Sequence, residues 1–236
     1  MNKPGTLYLI PCPIAETPPF DVLPAVNGNI ITSLDYFIVE NTRSARRFIS
    51  SAKLGNPIDS LEFAELNEHT QPQEIELLIR PILAGRDAGV ISEAGVPGVA
   101  DPGADVVALC HRHGIKVIPL VGPSSILMAL MASGLNGQSF AFNGYLPVKP
   151  PERAKAIRHY EKRAQNERQS QMFIEAPYRN AKLFDDFLSI CGPATRLCVA
   201  CDITGPEALI VTATIKEWKA RPKPEINKRP AIFIIL

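Results

Sequence analysis

Ile91-Ser92-Glu93-Ala94-Gly95-Val96-Pro97-Gly98-Val99-Ala100-Asp101-Pro102-Gly103 is the stretch on which the fold turns. The apolar run Ala88-Gly89-Val90-Ile91 enters it as a short strand. Ala104 to His113 leaves it as an amphipathic helix, expected to turn Val107, Ala108 and Cys110 inward and Arg112 outward. A strand that passes through a loop into a helix carries small ligands at its carboxyl end in α/β sheets. The glycines let main chain approach a ligand, and the prolines hold the loop's shape. The loop contains no G-x-G-x-x-G and no G-x-x-x-x-G-K-[ST], so it lacks the signature for a dinucleotide or a nucleoside triphosphate. A structural loop, with Asp101 capping the helix that follows, is the other reading.

Upstream, Thr6 to Ile10 reads as a strand that stops at Pro11-Cys12-Pro13, followed by a helix near Asp21 to Asn27. Tyr36 to Glu40 reads as a second strand, and Asn41 or Thr42 caps a helix running to about Ala52. Leu61-Glu62-Phe63 is a weak strand. Pro72 to Leu83 is a helix with Ile75, Leu78, Ile79 and Ile82 on one face, and Ile115 to Pro119 is a further strand. This alternation predicts a mostly parallel sheet with helices on both faces over residues 1–120. Residues 121–236 form a second α/β lobe, with Val121-Gly122-Pro123-Ser124-Ser125 at its entrance and an apolar helix from Ile126 to Ser133. Strands are expected at Phe140 to Tyr145, Met172 to Glu175, Arg196 to Cys201, Ala208 to Ala213 and Ala231 to Leu236, with helices at Pro150 to Gln169 and Asn180 to Ile190. Neighbours there are more often hairpin-like, so the second sheet is mixed. The fold class is α/β in two lobes.

At 236 residues, with 46% apolar and 21% charged residues, the chain has the composition of a soluble globular protein. The longest apolar candidate, Ile115 to Leu135, is broken by Lys116, Pro119 and Gly122-Pro123, so no membrane span is expected. Met1 to Pro4 leads almost directly into a strand, leaving no room for a signal peptide, and the expected location is cytoplasmic. Five cysteines without framework spacing suit reduced thiols. Cys198 and Cys201 form a C-x-x-C, but residues three apart on a strand face opposite ways, so no metal site is expected there or elsewhere. Net charge is +1 overall but −5 over residues 1–120 and +6 over residues 121–236. That asymmetry points to an anionic partner for the second lobe. The segment Lys149 to Arg168, with seven Lys/Arg and three Asp/Glu, suits phosphate contact or forms a solvated face.

Five segments taken together resemble the tetrapyrrole methylase superfamily of S-adenosylmethionine-dependent methyltransferases. They are Leu7-Tyr8-Leu9-Ile10-Pro11-Cys12-Pro13-Ile14, Glu40-Asn41-Thr42-Arg43, Ser92 to Gly103, Pro119 to Ser125 and Glu175-Ala176-Pro177-Tyr178-Arg179. They occur in family order along the whole chain. Within the superfamily, the pattern is similar to the branch that methylates a cytidine ribose 2′-hydroxyl in small-subunit ribosomal RNA. The resemblance implies two α/β lobes with the methyl donor in a cleft between them, usually in a homodimer. It implies donor contacts from Pro11, Ala94, Gly95, Val96, Val99, Ser124, Ser125, Ala176, Ala200 and Ile203. Departures from the branch gather on the acceptor side. Ala15-Glu16-Thr17-Pro18 replaces a Gly-Asn-Leu run with an Asp, Asn41 and Glu93 stand where the branch has Asp, and Cys201 to Gly205 lacks the branch's lysine.

Methyl transfer from a sulfonium is an in-line displacement, and a hydroxyl acceptor must also lose a proton. Glu40 and Glu93 each follow an apolar strand toward one sheet edge and are candidate catalytic acids; helix caps or surface acids are the alternatives. Arg43 holds a phosphate or forms a surface ion pair. Glu175 and Arg179, four residues apart, form a structural salt bridge or contact an anionic acceptor. His69 is a surface residue or a proton carrier, and His111 and His113 lie on a helix's solvent side. Three functions remain open on the residues alone: an RNA methyltransferase, a methyltransferase acting on a tetrapyrrole-like or other small molecule, and a donor-binding protein without turnover.

Overall fold

The computed structural model describes residues 3–55, 57–67 and 70–236; His69 lies outside them. The chain divides into two compact units, Met1–Ser124 and Ser125–Leu236. The first holds strands β1 (Thr6–Ile10), β2 (Tyr36–Val39), β3 (Glu62–Glu65), β4 (Ala88–Ile91) and β5 (Lys116–Pro119). All pair in parallel, in the order β3-β2-β4-β1-β5. Parallel strands need crossovers, and the helices supply them on both faces. These are α1 (Pro19–Val22), α2 (Ala25–Ser33), α3 (Thr42–Ser51), α4 (Pro72–Leu83) and α5 (Gly103–Arg112). Successive residues of β2 therefore serve two cores. Tyr36 and Ile38 join Ile79, Ile82, Val106 and Leu109 on one face, while Phe37 and Val39 join Ile31, Ala45 and Ile49 on the other.

Two local expectations are corrected. The helix expected near Asp21 to Asn27 is two helices, because Pro24 forces Leu23 into an extended conformation at φ −108°, ψ 141°. On α5 the inward residues are Val106, Leu109 and Cys110, with Val107 half-buried and Ala108 exposed. The helix starts at Gly103, and its core stripe follows the spacing i, i+3, i+4 from Val106.

The second unit contains α6 (Ser125–Ser133), β6 (Phe140–Tyr145), α7 (Pro150–Glu167), β7 (Ser170–Ile174), α8 (Asn180–Ile190), β8 (Arg196–Cys201), β9 (Leu209–Thr214), α9 (Ile215–Lys219) and β10 (Ala231–Ile235). Its sheet runs β6-β7-β10-β8-β9 and is mixed: β6 pairs with β7 in parallel, and the other pairs are antiparallel. Phe173, Val199, Cys201 and Phe233 pack on one face with Phe184 and Phe187 of α8. Met172, Cys198, Ala200 and Ile234 pack on the other with Ala129 and Leu130 of α6. Cys198 and Cys201 thus lie in opposite cores, which rules out a shared ligand. The sequence reading missed α9, a five-residue helix begun by a capping box in which Thr214 and Glu217 satisfy each other's main-chain N–H.

In α7 the charge run divides by burial. Arg153 is buried; its Nε donates to Asp186 Oδ2 at 2.6 Å and Nη1 to the carbonyl of Val148 at 2.6 Å. Arg163 pairs with Glu167, and Lys149 with Glu152. Lys155, Arg158, Lys162 and Arg168 stay exposed.

Phe37 has no exposed surface and stacks on Phe63 at 5.7 Å between ring centroids. Phe37→Ala is expected to destabilise the first unit by about 3–5 kcal/mol, read as a lowered urea midpoint.

Candidate functional site

In the first sheet the connections after β1 and β2 run toward the β3 edge, and the connection after β4 runs back toward β5. Crevices therefore open outside the carboxyl ends of β1, β2 and β4, where α/β sheets place their ligands. The quoted stretch leaves β4 at this edge. A two-bond clasp joins it to the loop after β1: Cys12 N–H donates to the Gly95 carbonyl at 2.8 Å, and Gly95 N–H to the Cys12 carbonyl at 3.1 Å. Gly95 holds φ +72°, a conformation that side chains with a Cβ disfavour.

The loop after β5 joins the same assembly. Leu120 N–H donates to the Leu9 carbonyl at 2.9 Å, and the buried Asn27 donates through Nδ2 to the Val121 carbonyl at 2.9 Å. At Gly122 a Cβ would stand 2.2 Å from Pro11 Cγ, so only glycine permits this approach. Asp101 does not cap through the N-cap position. Its Oδ1 accepts from Gly98 N at 2.7 Å and Gly103 N at 2.8 Å, which ties the loop's end to the start of α5. Burial raises the Asp101 pKa, and the Gly98 and Gly103 N–H groups oppose that rise.

The candidate acids occupy two environments. Glu40, half-buried at the end of β2, borders a void of about 10 Å³ with Ser92, Asp101 and Gly103, about the room of one water. Glu93 is exposed after β4, and its Oε1 accepts from Ser44 Oγ at 2.8 Å. Ser44 in turn donates its main-chain N–H to Asn41 Oδ1 at 3.1 Å, the N-cap bond of α3. Asn41 and Glu93 are therefore joined through one serine. Arg43 is exposed on the first turn of α3. Ser44 escaped the sequence reading; the N-cap spacing from Asn41 was the signal that could have found it.

Of the residues with expected donor contacts, Pro11 and Gly95 are buried, Val96 is half-buried, and Ala94 and Val99 are exposed. Ser124 and Ser125 are half-buried at the start of α6. In the second unit Ala200 is fully buried and Ile203 nearly so, both within the core under α6. Ala176 follows the buried Glu175, whose Oε1 accepts from Ala176 N at 2.7 Å, Arg179 Nε at 2.9 Å and Arg179 Nη2 at 2.6 Å. Glu175 and Arg179 thus form the structural salt bridge and hold the Ala176 loop. The turn after β8 is held by Arg229, whose Nε donates to Asp202 Oδ2 at 2.5 Å and Nη1 to the Glu225 carbonyl at 2.6 Å. His111 and His113 are exposed, as expected.

No model of a known protein family matches the chain. Among solved structures it is similar to the methyltransferase CobJ, with a TM-score of 0.63 and 17% identity over 98% of this chain and 93% of that one. It is also similar to the uroporphyrin-III C-methyltransferase from Thermus thermophilus solved with S-adenosyl homocysteine, with a TM-score of 0.54 and 19% identity over 98% and 97% of the two chains. The fold is that of the tetrapyrrole methyltransferases. Among curated proteins, a ribosomal RNA small subunit methyltransferase I from Xylella fastidiosa is 28% identical over 236 residues, 100% of this chain and 82% of the relative. One from Synechocystis is 31% identical over 200 residues, 85% of this chain and 67% of the relative. The chain belongs to the ribosomal RNA small subunit methyltransferase I family.

Burial, and then the charge of Glu93, push the Cys12 thiol from 9.0 to about 12. The folded chain favours the protonated thiol, so this group's contribution to stability is complete below pH 9 and is lost as pH rises to 12. The stability difference between the wild type and Cys12→Ala should shrink across that window, measured by urea unfolding at stepped pH; a constant difference would contradict this assignment.

Proposed function

We propose that the chain transfers a methyl group from S-adenosylmethionine to a ribose 2′-hydroxyl of small-subunit ribosomal RNA. The observation that carries the reading is the 31% identity to a ribosomal RNA small subunit methyltransferase I over 85% of the chain. The first unit's carboxyl edge suits the donor. Its Ala94 to Val99 loop is apolar apart from main chain, and it is turned by a glycine whose own N–H and carbonyl are already engaged by Cys12. Pro11, Ala94, Gly95, Val96, Val99, Ser124, Ser125, Ala176, Ala200 and Ile203 are the residues assigned to donor contact. The donor supplies an electrophilic methyl group, and the chain's contribution is to align the acceptor and take its proton.

Glu93 and Glu40 stand at the ends of neighbouring strands and are the assigned proton acceptors. Ser44 engages one oxygen of Glu93 and orients the carboxylate. Arg43 is assigned to an RNA phosphate, as are Lys155, Arg158 and Lys162 on α7. A cytoplasmic homodimer belongs to the same reading. No helix among the described residues is long and apolar enough to cross a membrane, and light scattering of the purified chain reads the assembly.

Two measurements test the reading. Gly95→Val places a branched side chain at φ +72° and should abolish the heat of S-adenosylmethionine binding in calorimetry. Mass-spectrometric mapping of 2′-O-methyl groups in ribosomal RNA from a strain lacking the protein should show one lost methyl, restored by the wild type and not by Gly95→Val. An unchanged map, with donor binding intact, would move the acceptor to a small molecule.

A further inference from the structure

The first unit carries net negative charge, yet four of its basic residues, Arg43, Arg46, Arg47 and Lys53, lie on or just beyond α3. Arg46 is taken up by Asp59 at 2.8 Å and by the face of Phe63 at 5.7 Å. Arg47 and Lys53 are exposed and make no ion pair among the described residues. Both border a groove of about 620 Å³, floored by the loop after β1 and walled by α3 and the start of the quoted stretch. That volume lies within the range of small-ligand sites.

Lys53 follows the C-cap of α3 at φ +52°, a position glycine fills at lower cost. Here the strained residue directs a long cationic side chain to the groove. The two cations are six residues apart. Arg47 lies on α3 and Lys53 beyond its C-cap, so the groove meets two cations carried at separate points of its wall. Ile14 and Pro18 give the groove an apolar side, and Glu16 and Glu93 are also among its lining residues, with Glu93 Oε1 held by Ser44. The Thr17 hydroxyl, shielded from solvent and without a hydrogen-bond partner among the described residues, sits in the groove's floor. Separated anions, apolar faces and hydroxyl or amino donors occur together in a single-stranded nucleotide segment.

We infer that this groove is an RNA subsite, in which Arg47 and Lys53 each hold a phosphate of the strand carrying the acceptor nucleotide. The inference rests on the RNA-methylating reading and deepens it by putting a phosphate grip on the acidic unit as well as on α7. Such contacts set affinity and register without choosing sequence.

The test is fluorescence anisotropy of a labelled single-stranded RNA oligonucleotide of small-subunit ribosomal sequence, titrated at several salt concentrations. For Arg47→Gln/Lys53→Gln the slope of log affinity against log salt should be shallower than wild type by about 1.4, at roughly 0.7 per lost phosphate contact. Affinity should fall alike for unrelated oligonucleotides. An unaltered melting temperature of the variant shows that the loss is not unfolding; if that variant melts early, Arg47→Ala alone should lower the slope by about 0.7. An unchanged slope, with wild-type binding intact and the salt dependence lost in Lys155→Ala/Arg158→Ala, overturns the subsite and leaves the function standing. Failure of the wild type to bind RNA at any salt overturns both.

Discussion

The clasp between Cys12 and Gly95 is the constraint on which the candidate site depends. Two hydrogen bonds outside the regular ladders bring the loops after β1 and β4 together at the sheet's carboxyl edge. Left apart, each loop would need water for its main-chain groups, and each would have the freedom that loop closure otherwise removes. The contact of Pro11 with Gly122 and the Asn27 bond to Val121 add the loop after β5 to the same assembly. The buried Cys12 side chain anchors it in the core beside Phe37 and Ile91. The apolar core and the loop geometry are thus fixed by the same residues, so damage to one propagates to the other.

The two edges of the first sheet spend their charges differently. At the amino edge, Arg86 pairs with Asp35 at 2.8 Å and Glu62 at 2.5 Å and lies over the Tyr36 ring at 5.1 Å, and Asp87 accepts from Thr6 N–H at 2.6 Å. Those groups hold strand ends together. Burial first and Glu62 second raise the Tyr36 phenol to about 12, against the opposing charge of Arg86. At the carboxyl edge the Glu93 carboxylate engages a serine, and Arg43, Arg47 and Lys53 reach solvent. At the amino edge the charges are spent on one another; at the carboxyl edge three cations are left facing solvent.

Much of the architecture was legible in the sequence because parallel strands buried on both faces, such as Tyr36-Phe37-Ile38-Val39, leave unbroken apolar runs between helical periods. Asn41 as a helix cap was legible because capping is local. Legibility ended where a partner lies far along the chain. Nothing near Arg153 says that Asp186 buries it, 33 residues on, and so the α7 charge run looked more uniform than it is. Nor does anything beside Glu93 announce Ser44, 49 residues earlier. The groove wall went unread because its floor, Ile14 to Pro18, is irregular loop and its cations come from another element.

The position of β10 has a consequence for synthesis. It follows the other four strands of its sheet along the chain, yet it lies between β7 and β8 and joins the two halves of the second sheet. Until it emerges from the ribosome, β6-β7 and the β8-β9 hairpin have no common ladder, and β7 and β8 each present an open edge. Phe173 and Val199 then lack the Phe233 side chain that packs between their strands. The first unit completes its sheet at β5, before any of these strands is translated. Vectorial synthesis thus leaves the second sheet as a parallel pair and a separate hairpin until β10 is made, the interval in which strand edges are most open to chaperones and to misassociation.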